Sequence, residues 1–394
     1  MTTALNNYLQ APDCQKEIRK EKPTVLFVID TLEIGGSELS LLENVMRFEQ
    51  ITPVVCHLYE GDTLKPEFNK NNIKVYSLNI AGRYRFPSAI KQLRAVIKIE
   101  KPSLMVAYLT RSEITARIAS AMNKIPVIGT FVNDLYCKQY NMNLSWKARR
   151  VVKLFQFINK ITSKICVGFV ANSEAIKRAN ANHLQLPANK IFVINRGRNS
   201  AVIKSRQSSL QSPTSLRFIN VSRLFAVKGH RKLILGFKKF LKNCPGATLD
   251  IAGDGPLFDE LHQLIKEQNL QNNIFLLGSR SDLPAILCEY DCFIFSSVME
   301  GFSGAIVEAM FARVPVLATD IPQNREAINH LRTGYLFKPD SEDEIEAALN
   351  WFKENRGIAQ ALSVNAGEYA KNNFEQAAIA KKFESYLLQM ISKQ

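Results

Sequence analysis

Long apolar runs are missing from this chain of 394 residues. None approaches the ~18 consecutive apolar positions of a membrane-spanning helix, so no transmembrane anchor is expected. The first 22 residues, MTTALNNYLQAPDCQKEIRKEK, are polar, mixed in charge and without the apolar core of a signal peptide, and they are expected to be a disordered or loosely attached tail. The seven cysteines, at 14, 56, 137, 166, 244, 288 and 292, make no Cys-x-x-Cys pair. Their odd count points to reduced thiols in a cytosolic protein and away from a disulfide framework or a metal site. The glycine fingerprint G-x-G-x-x-G is absent, which argues against a dinucleotide-dependent oxidoreductase. No recognised nucleic-acid-binding motif is present either, so nucleic acid is not an expected partner.

Positive charge, by contrast, is plentiful: 51 Lys and Arg against 36 Asp and Glu leave a formal net charge of +15. Such a field attracts polyanions, among them anionic lipid and nucleotide sugars. The length fits two domains of ordinary size, and 46% hydrophobic with 22% charged residues describes a globular chain.

Buried-strand patterns alternate with helical ones along both halves. In the first half KPTVLFVID, TPVVCHLYE, NIKVYSLN, SLMVAYLT, PVIGTFV and KICVGFVANS read as parallel strands, and IFVIN closes that half. A polar stretch with RGRNS and RQSSLQSPTS follows, after which LRFINVSRLF, ATLDIAGDG, NIFLLGS, DCFIFSS and PVLATD restart the alternation. The expected division is 23–200 for a first α/β domain, 201–215 for a linker, 216–373 for a second, and 374–394 for a closing helix. Ligands are expected at the carboxyl ends of the strands.

The chemistry is expected in DCFIFSSVMEGFSGAIVEAMFARVPVLATD, residues 291–320, a strand, loop, helix, strand unit. Glu300 lies in the loop and Glu308 a turn into the helix, with Gly301, Phe302, Ser303 and Gly304 between them at the helix start. Free amide groups and the positive end of the helix dipole favour an anion such as phosphate there. Carboxylates on either side accept hydrogen bonds from vicinal diols. A sugar nucleotide carries phosphate, ribose diol and hexose hydroxyls together.

Glu300, seven residues and Glu308, set within EGFSGAIVEAMFARVPVLATD, resemble the signature of retaining glycosyltransferases of the GT-B fold, most closely glycosyltransferase family 4, the glycosyl transferases group 1. The resemblance implies two Rossmann-like doubly wound parallel-sheet domains facing a central cleft, with the C-terminal helix crossing back to the first. It also implies sugar transfer from a nucleotide sugar, most commonly a UDP-sugar, to an acceptor hydroxyl with retention. Arg223 and Lys228, in SRLFAVKG, match the family's cationic pair and are expected on the donor diphosphate, where two cations stabilise the leaving charge. By the same resemblance Glu308 would hold the ribose and Glu300 the transferred sugar. Amides from Phe302 to Gly304 would meet phosphate, and Gly278 and Arg280 would lie near the base. Gly35 and Gly36, in IGGSE, resemble the family's donor-facing loop, with Ser37 on the acceptor side; a tight turn before a helix is the plainer reading. No Asp-x-Asp occurs, so a metal-bridged diphosphate is not indicated and no cofactor is expected.

Two features depart from the pattern or add to it. After PVIGTFV many family members carry a histidine, whereas this chain has Asn133 and Asp134; His57 is expected in a strand, and His183 and His262 on helix surfaces. The loop at Asn195 to Asn199 matches the family only loosely, and Arg198 receives no role. The segment Ser145 to Lys164 holds Lys147, Arg149, Arg150, Lys153, Lys160 and Lys164 and no acid, with Val151, Leu154, Phe155, Ile158 and Ile161 expected on one helical face beside Trp146 and Phe157. That face either lies on anionic lipid, bringing the cleft to a glycan or lipid-linked acceptor from the cytoplasmic side, or packs on its own sheet. Synthesis of a surface polysaccharide or glycolipid is the first reading. The alternative is a catalytically weak homologue that binds nucleotide sugar or glycan as a partner.

Overall fold

The computed structural model describes residues 22–393 except 83, 138–139, 142–143, 208–215 and 340. Most of the N-terminal tail and the second half of the expected linker therefore lie outside the described residues. Two parallel sheets organise the rest. The first contains β1 (Thr24–Ile29), β2 (Thr52–His57), β3 (Lys74–Ser77), β4 (Leu104–Tyr108), β5 (Val127–Phe131), β6 (Gly168–Ala171) and β7 (Ile191–Val193), in the order β3-β2-β1-β4-β5-β6-β7. The second contains β8 (Arg217–Val221), β9 (Thr248–Ala252), β10 (Ile274–Gly278), β11 (Cys292–Phe295), β12 (Val316–Thr319) and β13 (Tyr335–Phe337), in the order β10-β9-β8-β11-β12-β13.

Helices cover both faces of each sheet, which is why the strands read as nearly unbroken apolar runs. On β1, Leu26 and Val28 enter one core while Val25, Phe27 and Ile29 enter the core on the opposite face. The same division on β11 sends Cys292 and Ile294 one way and Phe293 and Phe295 the other. The helices of the first half are α1 (Gly36–Val45), α2 (Lys65–Lys70), α3 (Phe86–Glu100), α4 (Thr110–Asn123), α5 (Trp146–Thr162) and α6 (Glu174–Leu184). Those of the second are α7 (His230–Phe240), α8 (Phe258–Glu267), α9 (Leu283–Ile286), α10 (Gly304–Phe311), α11 (Pro322–Ala327), α12 (Glu342–Glu354), α13 (Arg356–Phe374) and α14 (Gln376–Ser392).

The last helix crosses back. Ile379, Phe383 and Leu387 of α14 join the core that holds Phe27, and Phe383 meets Phe27 edge-on with ring centroids 6.4 Å apart. Each such side chain, fully buried, contributes roughly 1.5–3 kcal/mol. Glu384 adds a polar anchor by accepting from the amides of Gln50 and Ile51 at 2.6 and 3.0 Å. The two crossings between domains touch: the Arg198 amide donates to the Phe374 carbonyl at 2.9 Å and the Gln376 amide to the Arg198 carbonyl at 3.0 Å. Beyond the first crossing, Ile203 enters the core of the second domain and the Arg206 amide donates to the Ala312 carbonyl at 3.0 Å.

Helix α5 differs from the sequence expectation in which face it buries. Phe155 turns inward to line a cavity with Val152, while Val151, Leu154, Phe157 and Ile161 stay exposed along with Trp146. The reason is polar. Arg117 of α4 is fully buried beside Glu113, and Asn159 of α5 supplies the oxygen that accepts from its guanidinium. Asn159 must therefore face inward, and the apolar stripe expected to be single is divided by that requirement.

Candidate functional site

In an open parallel sheet the ligand crevice lies where the strand order reverses. In the second sheet that point falls between β8 and β11, whose following loops carry Arg223 with Lys228 and Glu300 respectively. The loop after β8 is pressed onto the end of β11: the Val298 amide donates to the Val227 carbonyl and the Ser296 hydroxyl to that of Lys228, both at 2.9 Å. Gly229 makes this approach possible, since its φ is +73° and a Cβ there would lie 2.4 Å from the Ser296 carbonyl oxygen. The outcome is a direct pair, Lys228 Nζ to Glu300 Oε1 at 2.5 Å. Next to it His230 is buried, its Nε2 2.9 Å from the Ser222 hydroxyl. Burial, aided by the Lys228 charge, pushes His230 down to about 4, so the ring is neutral near pH 7.

Glu308 projects from α10, whose first turn is capped by the Ser303 hydroxyl accepting from the Ile306 amide at 3.4 Å. Its carboxylate receives Arg198 Nε at 2.5 Å, and Arg198 Nη1 also stands 3.5 Å from Glu43 of α1. Arg198, left without a role by the sequence, thus ties the second Glu of the motif to the first domain. The side chain of Phe302 is buried, its ring centroid 5.3 Å from that of Phe374, so it packs in the core and only its backbone faces the loop.

The first sheet reverses between β1 and β4, and Gly35 with Gly36 follow β1 at the start of α1. The guanidinium of Arg196 rests on Gly36. Lost hydration in the cleft, together with the neighbouring Arg198 charge, pushes Arg196 down to about 10; Glu300, Glu43 and Glu308 act on it in the opposite sense. Burial raises Glu38, on which Arg223, Asp30 and Arg196 also act. These mutual influences place Glu38 and Glu43 of one domain across from Arg223, Glu300 and Glu308 of the other. Ser37 lines a small space of about 50 Å³ with Ser40, Asn172 and Arg196, and the Asn172 Oδ1 there is buried with no hydrogen-bond partner among the described residues. Sequence reading missed Glu43 and Arg196 as site residues. Glu38 was visible as the last letter of IGGSE.

The domains touch at Gly301. A Cβ at that position would stand 1.9 Å from the Val132 carbonyl oxygen, so the first domain meets the motif loop through bare backbone. Glu326, at the end of α11, accepts from the amides of Glu174 and Ala175 at 2.7 Å each, capping α6 of the opposite domain.

Other expected residues fall elsewhere. Gly278 ends the edge strand β10, two strands from β8, and Arg280 in the loop after it is engaged by Asp282. Asn133 lines a large cavity in the first domain, whereas Asp134 is buried and takes His183 Nε2 at 3.2 Å. His183, expected on a helix surface, therefore supports the loop at 133–137 and stands edge-on to Tyr136. His57 lies in β2 and is fully buried. Trp146, Lys147, Arg149, Arg150 and Lys153 all lie on α5 and are exposed. Among the described residues no three His, Cys, Asp or Glu side chains gather around a possible metal position.

Residues 34–201 match the model of Glycosyltransferase Family 4, and residues 202–373 match that of the glycosyl transferases group 1. The chain belongs to glycosyltransferase family 4. A glycosyltransferase of Methanocaldococcus jannaschii is 27% identical over 72% of this family 4 chain and 74% of its own. The UDP-Gal:alpha-D-GlcNAc-diphosphoundecaprenol alpha-1,3-galactosyltransferase of Escherichia coli is 23% identical over 77% of the chain and 81% of its own. Among solved structures, Anabaena HepE in complex with UDP and glucose superposes with a TM-score of 0.79 at 21% identity, over 93% of this chain and all of its own. Sucrose-phosphate synthase from Thermosynechococcus elongatus gives 0.80 at 15% identity, over 94% and 100%. These likenesses establish the GT-B fold for the chain.

Proposed function

We propose that this family 4 chain moves a hexose from a nucleotide sugar, UDP-sugar first, to a hydroxyl of a glycan or lipid-linked acceptor, retaining anomeric configuration and using no metal ion. The observation that carries the reading is the pairing of Lys228 with Glu300 at the switch point of the second sheet, joined by that of Arg198, from the crossing between domains, with Glu308. Arg223 and Lys228 take the diphosphate, Glu308 exchanges Arg198 for the ribose diol, and Glu300 receives hydroxyls of the transferred sugar. The bond from the anomeric carbon to the phosphate oxygen breaks while the acceptor oxygen bonds to that carbon on the same face. The departing phosphate oxygen takes the acceptor proton, so the side chains supply position and charge stabilisation.

Two likenesses support the donor and acceptor: the Escherichia coli relative is named for UDP-Gal and a diphosphoundecaprenol acceptor, and HepE was solved with UDP and glucose. The exposed apolar and basic face of α5 supports attachment at the surface of an anionic membrane. Among the described residues no helix is long and apolar enough to cross one.

The test is thermal stabilisation across nucleotides and nucleotide sugars, coupled to transfer of labelled sugar onto a bacterial lipid extract. One nucleotide class stabilises the wild type by roughly 2.7 kcal/mol at ~100 times its dissociation constant. That shift disappears in Glu308→Ala and Lys228→Ala, and Lys228→Ala lowers turnover by about 10²–10³. Stabilisation without transfer would favour a binding homologue, and neither would sink the reading.

A further inference from the structure

A cavity of about 500 Å³ opens at the switch point of the first sheet, under α5, and the family match does not say what fills it. Its lining changes character from the inner end to the mouth. The inner end lies at the carboxyl ends of β1, β4 and β5, where Asp30, Glu113, Thr130 and Asn133 offer oxygen-rich polar groups. Arg111 is the one cation of the described lining, and Asp30 holds it through Nε and Nη2 at 3.1 and 3.0 Å. Glu113 is likewise paired, with the fully buried Arg117 behind the lining at 3.1 Å, so no cation of the described lining is free to meet a phosphate, and the oxygens of this end suit hydroxyl and amide donors.

Farther out the lining becomes aromatic, with Tyr136, Tyr140 and Phe155 around the space, and Tyr84 stands against Phe155 with ring centroids 6.2 Å apart. The mouth is formed by Tyr84 and Val151, which are 64% and 43% exposed. Val151 also belongs to the outer face of α5, where Leu154, Phe157 and Ile161 are exposed beside Lys147, Arg150 and Lys153. The cavity is therefore continuous with an apolar surface edged by cations.

The inner end adjoins the donor cleft. Val132 lines the cavity, and its carbonyl oxygen is the atom against which Gly301 of the motif loop is pressed. Glu300 is the residue that precedes Gly301 in that loop.

We infer that the cavity seats the neutral terminal sugar of an amphiphilic acceptor, whose phosphate or diphosphate lies at the Lys147 and Arg150 edge and whose hydrocarbon covers the outer face of α5. This rests on the transfer reading above and adds the charge class of the acceptor sugar and the direction in which the acceptor enters. Neutral hydroxyls meet the carboxylate end, the ring meets tyrosine and phenylalanine faces, and the charged link stays where the cations are.

The test is binding without nucleotide, by titration calorimetry, of decyl diphosphates carrying glucose, galactose, N-acetylglucosamine or N-acetylgalactosamine. Sugar-free decyl diphosphate and the glucuronic acid conjugate serve as comparisons. At least one neutral conjugate is expected to bind tenfold or more tightly than either comparison. Val151→Trp, at an exposed mouth position, should erase that preference without changing UDP binding. Leu154→Glu, outside the mouth, should weaken all chain-bearing probes equally. Equal binding of sugar-bearing and sugar-free probes, tightest binding of the glucuronate, or an unaltered preference in Val151→Trp would overturn the inference. Sugar transfer from UDP-sugar is scored separately: transfer without a neutral-sugar preference overturns this inference alone, and the preference without transfer overturns the transfer reading alone.

Discussion

Arg198 reaches from the first crossing between domains to the carboxylate of Glu308 in α10, Nε to Oε1 at 2.5 Å, while its other side approaches Glu43 of α1 at 3.5 Å. One arginine thus couples the two domains through a residue proposed to bind the donor. Charge-assisted hydrogen bonds of this kind are worth about 1.5–3 kcal/mol. Glu308→Gln is expected to weaken UDP binding by about tenfold or more, as one charged contact is replaced by a neutral one. Arg198→Ala should lower the melting temperature in the absence of nucleotide and reduce the gap between free and UDP-bound protein. Calorimetric titration and thermal unfolding read both, and an unchanged UDP affinity in Glu308→Gln would remove that residue from the donor site.

Gly301→Ala tests the contact between domains. The added methyl would stand 1.9 Å from the Val132 carbonyl oxygen, a backbone atom that no rotamer change moves aside, and 2.6 Å from the side-chain Nδ2 of Asn172. The domains must separate locally, so sugar transfer is expected to fall by at least tenfold with little loss of thermal stability. Small-angle scattering should show a more open chain, and wild-type turnover in this variant would contradict the arrangement.

Glu326→Gln weakens the carboxylate cap on α6 without removing bulk. Both oxygens accept backbone amides across the domain boundary at 2.7 Å. Hydrogen exchange at Glu174 and Ala175 is expected to accelerate, and stability to fall by about 0.5–2 kcal/mol, as for loss of a helix cap. Unchanged exchange at those two amides would show that the cap is not formed in solution.

Acid sensitivity should trace in part to His230. Its folded value, about 4, lies below its ordinary value of 6.5, so the unfolded chain binds the extra proton first as pH falls. Its contribution is fully present above pH ~6.5 and is lost as pH drops toward ~4, on the order of 3 kcal/mol across that window. Glu38, Glu43 and Glu113 are raised by burial and bias stability in the opposite direction. The comparison is therefore between wild type and His230→Asn, whose unfolding free energy should depend less steeply on pH between 6.5 and 4.

Vesicle binding is the fifth expectation. Trp146, Leu154 and Phe157 are 60%, 56% and 62% exposed on α5. Co-sedimentation with vesicles containing anionic lipid should be strong at low salt, weaker at high salt, and reduced several-fold by Leu154→Glu with Phe157→Glu. Equal sedimentation of that variant would assign the basic face to another role.

The strands were legible because both faces of each sheet are covered, which leaves an apolar signature that composition alone can carry. DCFIFSS and KPTVLFVID needed no partner to be read, and Glu300 with Glu308 stood out because loop glycines and a helical period surround them. Residues whose roles depend on the opposite domain left weaker signals. Arg198 and Arg196 were two arginines in a polar turn, Glu43 one acid on an amphipathic helix, and His183 a polar residue near a helix end. Asn159 misled in the other direction: a buried Arg117 on another helix fixed which face of α5 points inward, and no pattern within α5 announces that.

Sequence by itself determined the two alternating halves, the loops that end their strands, and the types of group those loops carry, since these follow from local periodicity and glycine placement. Tertiary structure decided which of those loops meet. The reversal of strand order places Lys228 beside Glu300 and sends Arg280 to the sheet edge, and the apposition of two domains sets Glu43, Arg196 and Arg198 against Glu308. The physical reason is range: periodicity reports burial along one element, whereas an ion pair 110 residues apart in sequence depends on the packing of every element between them.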